Sequence, residues 1–349
     1  MKALILAAPG DARMIEVEKP IAGKTDVLIK VAYSGICGTD LSILSGDMKL
    51  VRDGSIKYPV RIGHEWSGTV EETGSEVRKF AKGDRVVSDS GVSCGECKHC
   101  IEGNYNLCLN GRSIGTINCW DGSFAEYILI PERHLYKLPD SISLEEGMLI
   151  EPASIALIGL KKSNIRPGCS VLIIGTGPIG LAAIPMAKAM GAAVVMVSGR
   201  KEFKLQVGKA MGANAVINAT KEDLVELVMK ETGGMGVDVV IETSGNATAI
   251  SGCLEAVRTG GIIALIGFYE NNVKDFDIGK IVTKNITIKG IIGEFGAPQG
   301  VIELIKKDHI SMKSLITHRF MFSEAIDAMK TAGEKNDTKI KMLVKIAEI

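Results

Sequence analysis

The feature that most constrains how this chain can fold is the stretch SVLIIGTGPIGL at residues 170–181. An unbroken apolar run, typical of a strand buried on both faces, is followed by a G-x-G-x-x-G pattern and a helical apolar pattern. In such a turn, Gly175 permits the tight bend, Gly177 lets backbone N–H groups approach a pyrophosphate, and Gly180 lets helix and strand pack closely. A glycine-rich turn without a ligand is the alternative, and the flanking strand and helix argue against it.

Strand-like and helix-like segments alternate from about residue 155 to residue 287. The strand-like segments AAVVMVSG, NAVINAT, VDVVIETSG and GGIIALIGF are separated by helical ones, and ITIKGIIG at 286–293 reads as a last strand. This alternation predicts an α/β fold with a doubly wound parallel sheet. Residues 1–150 instead contain short β-rich runs broken by Gly, Asp and Pro, which predict a barrel-like β domain. A chain of 349 residues can bury both cores.

The end of the second strand of this sheet indicates which dinucleotide would bind. An NAD site expects Asp or Glu there, but this strand ends in Ser198, Gly199 and Arg200, with Lys204 beyond and no carboxylate before Glu202. Glycine removes a side chain that would repel a 2′-phosphate, and Arg200 can form a charged pair with one. The pattern favours NADP; an ordinary solvated basic turn in an NAD enzyme is the alternative.

Composition excludes some partners and predicts a location. Lys+Arg and Asp+Glu are both 41, so no global charge attracts nucleic acid or an anionic membrane. No uncharged run reaches the roughly 18 residues that a membrane helix needs. The N-terminal apolar run is short and is followed at once by Asp11, Arg13 and Glu16, which is unlike a signal peptide. We therefore expect a cytoplasmic protein with reduced thiols.

Four cysteines, Cys94, Cys97, Cys100 and Cys108, follow a C-x2-C-x2-C-x7-C spacing. Four thiolates at short spacing predict a closed tetrahedral zinc site, which leaves no position for water or substrate and so has a structural role. Disulfides are disfavoured in a reducing compartment. An iron–sulfur cluster also needs four cysteines, but the usual ferredoxin spacing is absent.

A second set of candidate ligands is spread over three segments. GICGTD, GHE and LIEPAS contain, in order, Cys37, Thr39, Asp40, His64, Glu65 and Glu151. One Cys, one His and one or two Glu make a mixed ligand set for a zinc ion with one open position. Two readings without a metal stay open at this point: a buried Cys37 thiol, and a helix-capping Glu151 beside Pro152.

Taken in order, GICGTD, GHEWSGTVEETGSEV, GDRV, the CGEC-KHC lobe, DGSFAEY, EPASIAL and GTGPIGL resemble the zinc-dependent medium-chain dehydrogenases/reductases. Glu-Pro at 151–152 resembles their polyol dehydrogenase branch, and the resemblance spans nearly the whole chain. It implies a GroES-like catalytic domain at 1–154 and 288–349. This domain would enclose a Rossmann domain at 155–287, with the active site in the cleft.

The resemblance also implies roles for individual residues. Cys37, His64 and Glu151 fall where this branch places catalytic zinc ligands, and Glu65 falls where a carboxylate either ligates zinc or holds its water. Thr39 would relay the alcohol proton, and Asp40 would orient the ligand histidine. The residues that fall along the usual track of the cofactor are Ile179, Lys204, Ile266, Gly267, Phe268, Ile291, Ile292 and Gly293, and Pro178 of the glycine-rich turn is a further candidate.

Several positions depart from the family pattern. Ser42 stands where a histidine often completes the proton relay, so Ser42 with water, or a cofactor ribose hydroxyl, would finish it. Ile43 replaces a tyrosine of sorbitol dehydrogenases, and Gly293-Glu294 replaces their Arg-Tyr pair, which argues against sorbitol itself. Trp66 is expected to line the cleft. His134, His309 and His318 lack ligand-type neighbours and are expected to be structural.

The resulting hypothesis is a hydride transfer between a secondary alcohol and NAD(P), with NADP favoured and two zinc ions per chain. The alcohol would be a polyol, sugar alcohol, sugar phosphate or cyclitol, and the protein a homodimer or homotetramer. A threonine-type amino-alcohol dehydrogenase is the nearest rival. A non-catalytic dinucleotide-binding scaffold or redox sensor is the rival from another class.

Overall fold

The computed structural model describes residues 1–274, 276–293, 295–308 and 310–348, so Glu294 and His309 lie outside the described residues. The chain divides into two compact units. The first unit comprises Met1–Glu151, Gly293–Ile305 and Ser311–Ile349, and the second comprises Pro152–Ile292 and Lys306–Ile310.

The strands and helices have the following bounds. The strands are β1 Lys2–Ala8, β2 Asp11–Glu16, β3 Asp26–Ile36, β4 Glu65–Thr73, β5 Arg85–Ser88, β6 Gly91–Val92, β7 Arg112–Ser113, β8 Tyr127–Pro131, β9 Leu135–Lys137, β10 Ser170–Ile174, β11 Val194–Gly199, β12 Ala215–Asn218, β13 Val237–Glu242, β14 Val257–Leu265, β15 Thr287–Gly290, β16 Ile316–Met321 and β17 Lys341–Lys345. The helices are α1 Gly38–Ser45, α2 Lys49–Arg52, α3 Lys98–Ile101, α4 Leu144–Gly147, α5 Ile150–Lys162, α6 Pro178–Ala189, α7 Glu202–Ala210, α8 Leu224–Glu231, α9 Ala249–Ala256, α10 Ile278–Thr283, α11 Ala297–Asp308 and α12 Ala325–Gly333. Short 3₁₀ turns occur at Tyr105–Leu107, Glu132–His134, Lys313–Leu315 and Phe322–Glu324.

The first unit is built around a seven-stranded sheet of order β16-β17-β3-β4-β5-β9, with β8 also paired to β3. The long strand β3 runs antiparallel to β17, β4 and β8. The C-terminal strand β17 therefore lies beside a strand from the start of the chain, which brings residues about 300 positions apart into contact.

The second unit contains a six-stranded parallel sheet of order β12-β11-β10-β13-β14-β15. The doubly wound prediction is confirmed. Chain order reverses between the neighbours β10 and β13, and this reversal creates the switch point at which such sheets bind ligands, beyond the carboxyl ends of their strands. The glycine-rich turn follows β10 directly, and so it lies at this point.

Local packing explains the glycines of that turn. Gly175 has a φ of 108°, a left-handed conformation that side chains rarely adopt. A Cβ at position 180 would lie 2.0 Å from the carbonyl oxygen of Gly175, so helix α6 could not otherwise approach the turn so closely. Gly177 is the N-cap of α6, and Pro178 occupies its first position, where a missing N–H costs no helical hydrogen bond.

The expectation that Trp66 lines a cleft was wrong, because Trp66 is only 2% exposed and packs in the core of the first unit. It directly follows Glu65 on β4, and successive side chains of a strand point to opposite faces. The Glu65 carboxylate and the Trp66 indole therefore point to opposite faces of β4, and the face of the indole is the core. Within the described residues, no helix is both long and apolar enough to cross a membrane.

Candidate active site and zinc centres

The fold brings three of the predicted ligands together in the first unit. Cys37, His64 and Glu65 each offer a ligand atom, and these atoms all lie within 4.8 Å of one another. Cys37 follows the end of β3 and Glu65 begins β4, and the two strands are paired with Gly35 opposite Glu65. A Cβ at Gly35 would lie 2.5 Å from Glu65 Oε2, so glycine there leaves room for the carboxylate.

Asp40 joins the two segments that carry these ligands. It is 0% exposed, and its carboxylate accepts hydrogen bonds from Cys37 N at 2.8 Å and Gly63 N at 3.3 Å. Its Oδ1 lies 3.9 Å from Nδ1 of His64. Burial raises the pKa of Asp40, while the neighbouring His64 acts in the opposite direction. This distance is longer than a hydrogen bond, so Asp40 lies beside Nδ1 without bonding to it, in the place of a carboxylate that would orient a ligand histidine.

The imidazole of His64 is buried and strongly polarised by its neighbours. Burial by itself lowers the pKa of His64, but the Cys37 sulfur and the carboxylates of Asp40 and Glu151 outweigh it and raise this pKa well above its ordinary value. In the described part of the chain, His64 Nδ1 has no hydrogen-bond partner. Because the Asp40 carboxylate lies on the Nδ1 side of the ring, Nε2 is the nitrogen left to bind a metal together with the thiol and the carboxylate of the cluster.

Lys341 is a residue of this site that sequence reasoning missed. Lys341 is 3% exposed, and its Nζ donates to Glu65 Oε1 at 2.8 Å, to Glu65 Oε2 at 2.5 Å and to the carbonyl of Ile36 at 3.0 Å. Both oxygens of Glu65 therefore face an ammonium group from β17. The one local signal is a lysine at the start of KMLVK, a strand whose first four residues are buried.

Glu151 belongs to the same neighbourhood but is not part of the group within 4.8 Å. Burial raises the pKa of Glu151, and the negative charge of Glu65 adds to this rise. His64 and a hydrogen bond from the Ser90 side chain act in the opposite direction. Ser90 thus contacts a predicted ligand, although nothing in its own sequence context singles it out.

The predicted proton-relay residues lie on α1, the helix that Cys37 caps. Thr39 Oγ1 lies 3.7 Å from Cys37 Sγ. Ser42 is one turn further along, and residues three apart share a helix face. Both side chains are partly buried. The two hydroxyls therefore share one face of the helix, with Thr39 beside the ligand cluster.

The four-cysteine lobe has the geometry of a tetrahedral thiolate site. The Sγ–Sγ distances are 3.8 Å for Cys94–Cys100, 3.5 Å for Cys97–Cys100, 3.9 Å for Cys97–Cys108 and 3.5 Å for Cys94–Cys108. Zinc–sulfur bonds of about 2.3 Å place tetrahedral sulfurs about 3.8 Å apart, whereas a disulfide needs about 2.05 Å. Backbone hydrogen bonds at Leu109 and then Cys100 lower the pKa of Cys97 to about 6, which favours the thiolate that a metal binds. These residues fit a zinc ion.

In the second unit, the predicted ribose-reading residues lie at the end of β11 and directly after it. A Cβ at Gly199 would lie 2.5 Å from Thr176 Cγ2, so a larger residue at this position would require the Thr176 side chain of the glycine-rich turn to move. Ser198 is buried, Arg200 is exposed, and Lys204 lies partly buried on α7. Of the predicted residues farther along the chain, Ile266, Gly267 and Phe268 follow β14, Ile291 and Ile292 follow β15, and Gly293 begins the next segment of the first unit.

Two family models match the sequence. The Alcohol dehydrogenase GroES-like domain matches residues 23–140, and the Zinc-binding dehydrogenase model matches residues 178–307. Sorbitol dehydrogenase of Bacillus subtilis (strain 168) is 33% identical over 344 residues, covering 99% of this chain and 97% of the relative. The chain belongs to the zinc-dependent medium-chain dehydrogenases/reductases, in their polyol dehydrogenase branch.

Other members of the medium-chain dehydrogenase family are similar over the same length. D-arabitol-phosphate dehydrogenase of Enterococcus avium is 35% identical, covering 97% of this chain and 96% of the relative. L-threonine 3-dehydrogenase of Pyrococcus horikoshii is 38% identical, covering 95% of each. A zinc-binding dehydrogenase of Sinorhizobium meliloti 1021, solved bound to NADP, has a TM-score of 0.90 and 32% identity and covers 99% of each chain.

Family membership fixes the class of fold and of chemistry. A medium-chain dehydrogenase of this kind combines a GroES-like domain with a Rossmann domain. The first unit contains the GroES-like match, and the second unit contains the parallel sheet. It is an oxidoreductase that uses zinc and NAD(P) on an alcohol.

Proposed function

We propose that this chain oxidises a secondary hydroxyl of a polyol, sugar alcohol, sugar phosphate or cyclitol with NADP, or reduces the corresponding ketone. The observation that carries the proposal is the grouping of a thiol, an imidazole and a carboxylate, from Cys37, His64 and Glu65, whose ligand atoms all lie within 4.8 Å of one another. A binding module has no use for an open mixed-ligand site, so this grouping argues for catalysis over a scaffold or sensor.

Cys37, His64 and one or both of Glu65 and Glu151 would hold the catalytic zinc, and Cys94, Cys97, Cys100 and Cys108 the structural one. When bound, the catalytic metal supplies Lewis acidity that lowers the pKa of an alcohol, and the nicotinamide supplies the hydride acceptor.

The surrounding side chains have separate tasks in this proposal. Thr39, beside the Cys37 sulfur, accepts the alcohol proton and passes it toward solvent, either through Ser42 and water or through a ribose hydroxyl. Asp40 holds the backbone on both sides of the cluster, and Lys341 neutralises the charge of Glu65. The glycine-rich turn, together with Ser198, Arg200 and Lys204, would bind the dinucleotide.

Two observations bear on the substrate class: the names of the relatives, and the positions at which this chain differs from them. Relatives named for sorbitol, D-arabitol phosphate and L-threonine are similar to this chain over nearly its whole length. Ile43, in place of the tyrosine of sorbitol dehydrogenases, argues against sorbitol. L-threonine is the second candidate, favoured by the 38% identity of the threonine dehydrogenase; Ser42, where a histidine often stands, argues against it.

An activity screen with metal analysis tests this proposal. NADP and NAD are each offered with polyols, sugar phosphates, cyclitols and L-threonine, and zinc is counted by plasma mass spectrometry. We expect turnover with a polyol-class alcohol and two zinc ions per chain. Turnover with L-threonine alone would select the second candidate. One zinc ion and no turnover would indicate a scaffold.

Arg200→Ala tests the preference for NADP. A charge-assisted hydrogen bond to the 2′-phosphate contributes about 1.5–3 kcal/mol, so KM for NADP should rise roughly 10- to 100-fold. KM for NAD should change less than twofold, because NAD lacks this phosphate. Lys230→Ala removes an exposed lysine from α8 of the same unit and serves as the matched control. A wild-type protein that prefers NAD would contradict the assignment.

We further propose that the chain is cytoplasmic and forms a homodimer or homotetramer. All eight cysteines are free thiols, which supports a reducing compartment. Strand β15 lies at the edge of the parallel sheet, and Ile278 and Val282 on the preceding helix α10 are 66% and 74% exposed. An open strand edge next to apolar side chains supports pairing between copies. A monomer in light scattering at micromolar concentration would contradict the proposed assembly.

A further inference from the structure

Glu242 is a buried carboxylate that neither the sequence reasoning nor the proposed mechanism uses. It is the last residue of β13 and is 0% exposed. It accepts hydrogen bonds from Ser244 N at 2.7 Å, Gly245 N at 3.2 Å and Tyr269 Oη at 2.8 Å, and a short one from Ser244 Oγ. The donors come from two segments, one after β13 and one after β14.

These two segments touch through their backbones. A Cβ at Gly267 would lie 2.0 Å from Gly245 N and 2.7 Å from Glu242 Oε2. A Cβ at Gly245, whose φ is 63°, would lie 2.4 Å from the carbonyl oxygen of Phe268. No side chain fits at either glycine, so the path of residues 266–268 follows from the path of residues 243–245. The main-chain carbonyl of Glu242 accepts from Ile266 N at 2.8 Å and Gly267 N at 3.1 Å, and its carboxylate holds the adjoining Gly245 and Tyr269.

The same segments adjoin the dinucleotide turn. Thr243 donates from both N and Oγ1 to the carbonyl of Ile174, each at 2.8 Å, immediately before Gly175. In a doubly wound sheet of this strand order, the ribose reader after the second strand marks the adenosine half of the dinucleotide. The other half lies across the switch point, over the carboxyl ends of β13 and β14. Glu242 is on that second side.

We infer that Glu242 is a positioning residue for the nicotinamide half of the dinucleotide, acting through the backbone of residues 266–268. This inference rests on the proposed dinucleotide site. A carboxylate suits this place because four donors converge on it and its two oxygens provide enough lone pairs. Glutamine offers one acceptor oxygen and would turn an NH₂ group toward at least one of the donors.

Glu242→Gln tests the inference when its binding of two ligands is compared: a whole dinucleotide, and a fragment that contains only the adenosine half. The dinucleotide is NADPH and the fragment is 2′,5′-ADP, or NADH and AMP if the wild type prefers NAD. We expect Kd for the dinucleotide, from fluorescence titration, to rise tenfold or more. Kd for the adenosine fragment should stay within twofold, since the residues after β11 are unchanged. A merely structural role would weaken both ligands alike.

Two further variants keep the test decisive. Tyr269→Phe removes one donor and should raise Kd for the dinucleotide about threefold, and it reports on the same contact if Glu242→Gln does not fold. Glu222→Gln changes an exposed carboxylate after β12, which accepts from Asn218 N at 2.6 Å, and should alter neither Kd.

The outcomes separate this inference from the proposed function. Unchanged dinucleotide affinity in both Glu242→Gln and Tyr269→Phe would overturn the inference alone, and so would an equal loss for dinucleotide and fragment. A wild-type protein that binds neither NADPH nor NADH would overturn the proposed function, and the inference with it.

Discussion

Replacing Cys37 with alanine is expected to abolish turnover while dinucleotide binding survives. The thiol is one of three side chains within 4.8 Å that would hold the catalytic zinc. Lewis-acid stabilisation contributes several kcal/mol to the transition state, so kcat should fall about 1,000-fold or more. Zinc content should drop from two ions to one per chain. Kd for NADPH should stay within twofold, because the glycine-rich turn, Ser198, Arg200 and Lys204 all belong to the second unit.

The matched control for this variant is Cys119→Ala. Cys119 is a partly buried thiol in the same unit, outside both ligand groups. It should keep two zinc ions and wild-type turnover. Comparing Glu65→Gln with Glu151→Gln then assigns the carboxylate ligand, since only loss of a true ligand lowers the zinc count. Wild-type turnover by Cys37→Ala in metal-free buffer would refute the zinc mechanism.

Lys341→Met is expected to destabilise the protein by about 3–5 kcal/mol, because it leaves the Glu65 carboxylate buried without its counter-charge. Both Glu65 oxygens receive hydrogen bonds from this ammonium, and both side chains are almost fully buried. The measurement is urea unfolding of the metal-free protein, where no cation can substitute for lysine.

Lys345→Met is the matched control on the same strand. Lys345 pairs with the exposed Glu348 at 2.6 Å, and such surface pairs contribute little to stability because both charges stay hydrated. The double variant Lys341→Met/Glu65→Gln should recover part of the loss, since both charges are then gone. Equal stability of Lys341→Met and the wild type would show that the pair does not hold the site together.

Much of the fold could be predicted because its signals are local. The strand, turn and helix around Gly175 and Gly180 lie within about twenty consecutive residues, and their periodicity and glycine spacing reflect steric rules that act between neighbours. The same holds for the cysteine lobe, where Cys94 and Cys108 are fourteen positions apart. Trp66 shows the limit: the motif that marks His64 and Glu65 says nothing about which face of β4 its neighbour occupies.

The sequence alone determined the parallel sheet with its phosphate turn, the four-thiolate lobe and the set of side chains able to bind a catalytic ion. The tertiary structure decided which of these side chains lie close together and which other residues fix their positions. Lys341 reaches Glu65 across 276 positions because β17 pairs with β3, and Glu242 acquires Tyr269 because β13 and β14 end side by side. Such contacts depend on strand order and register, which arise from the packing of the whole chain and leave no pattern in any short segment.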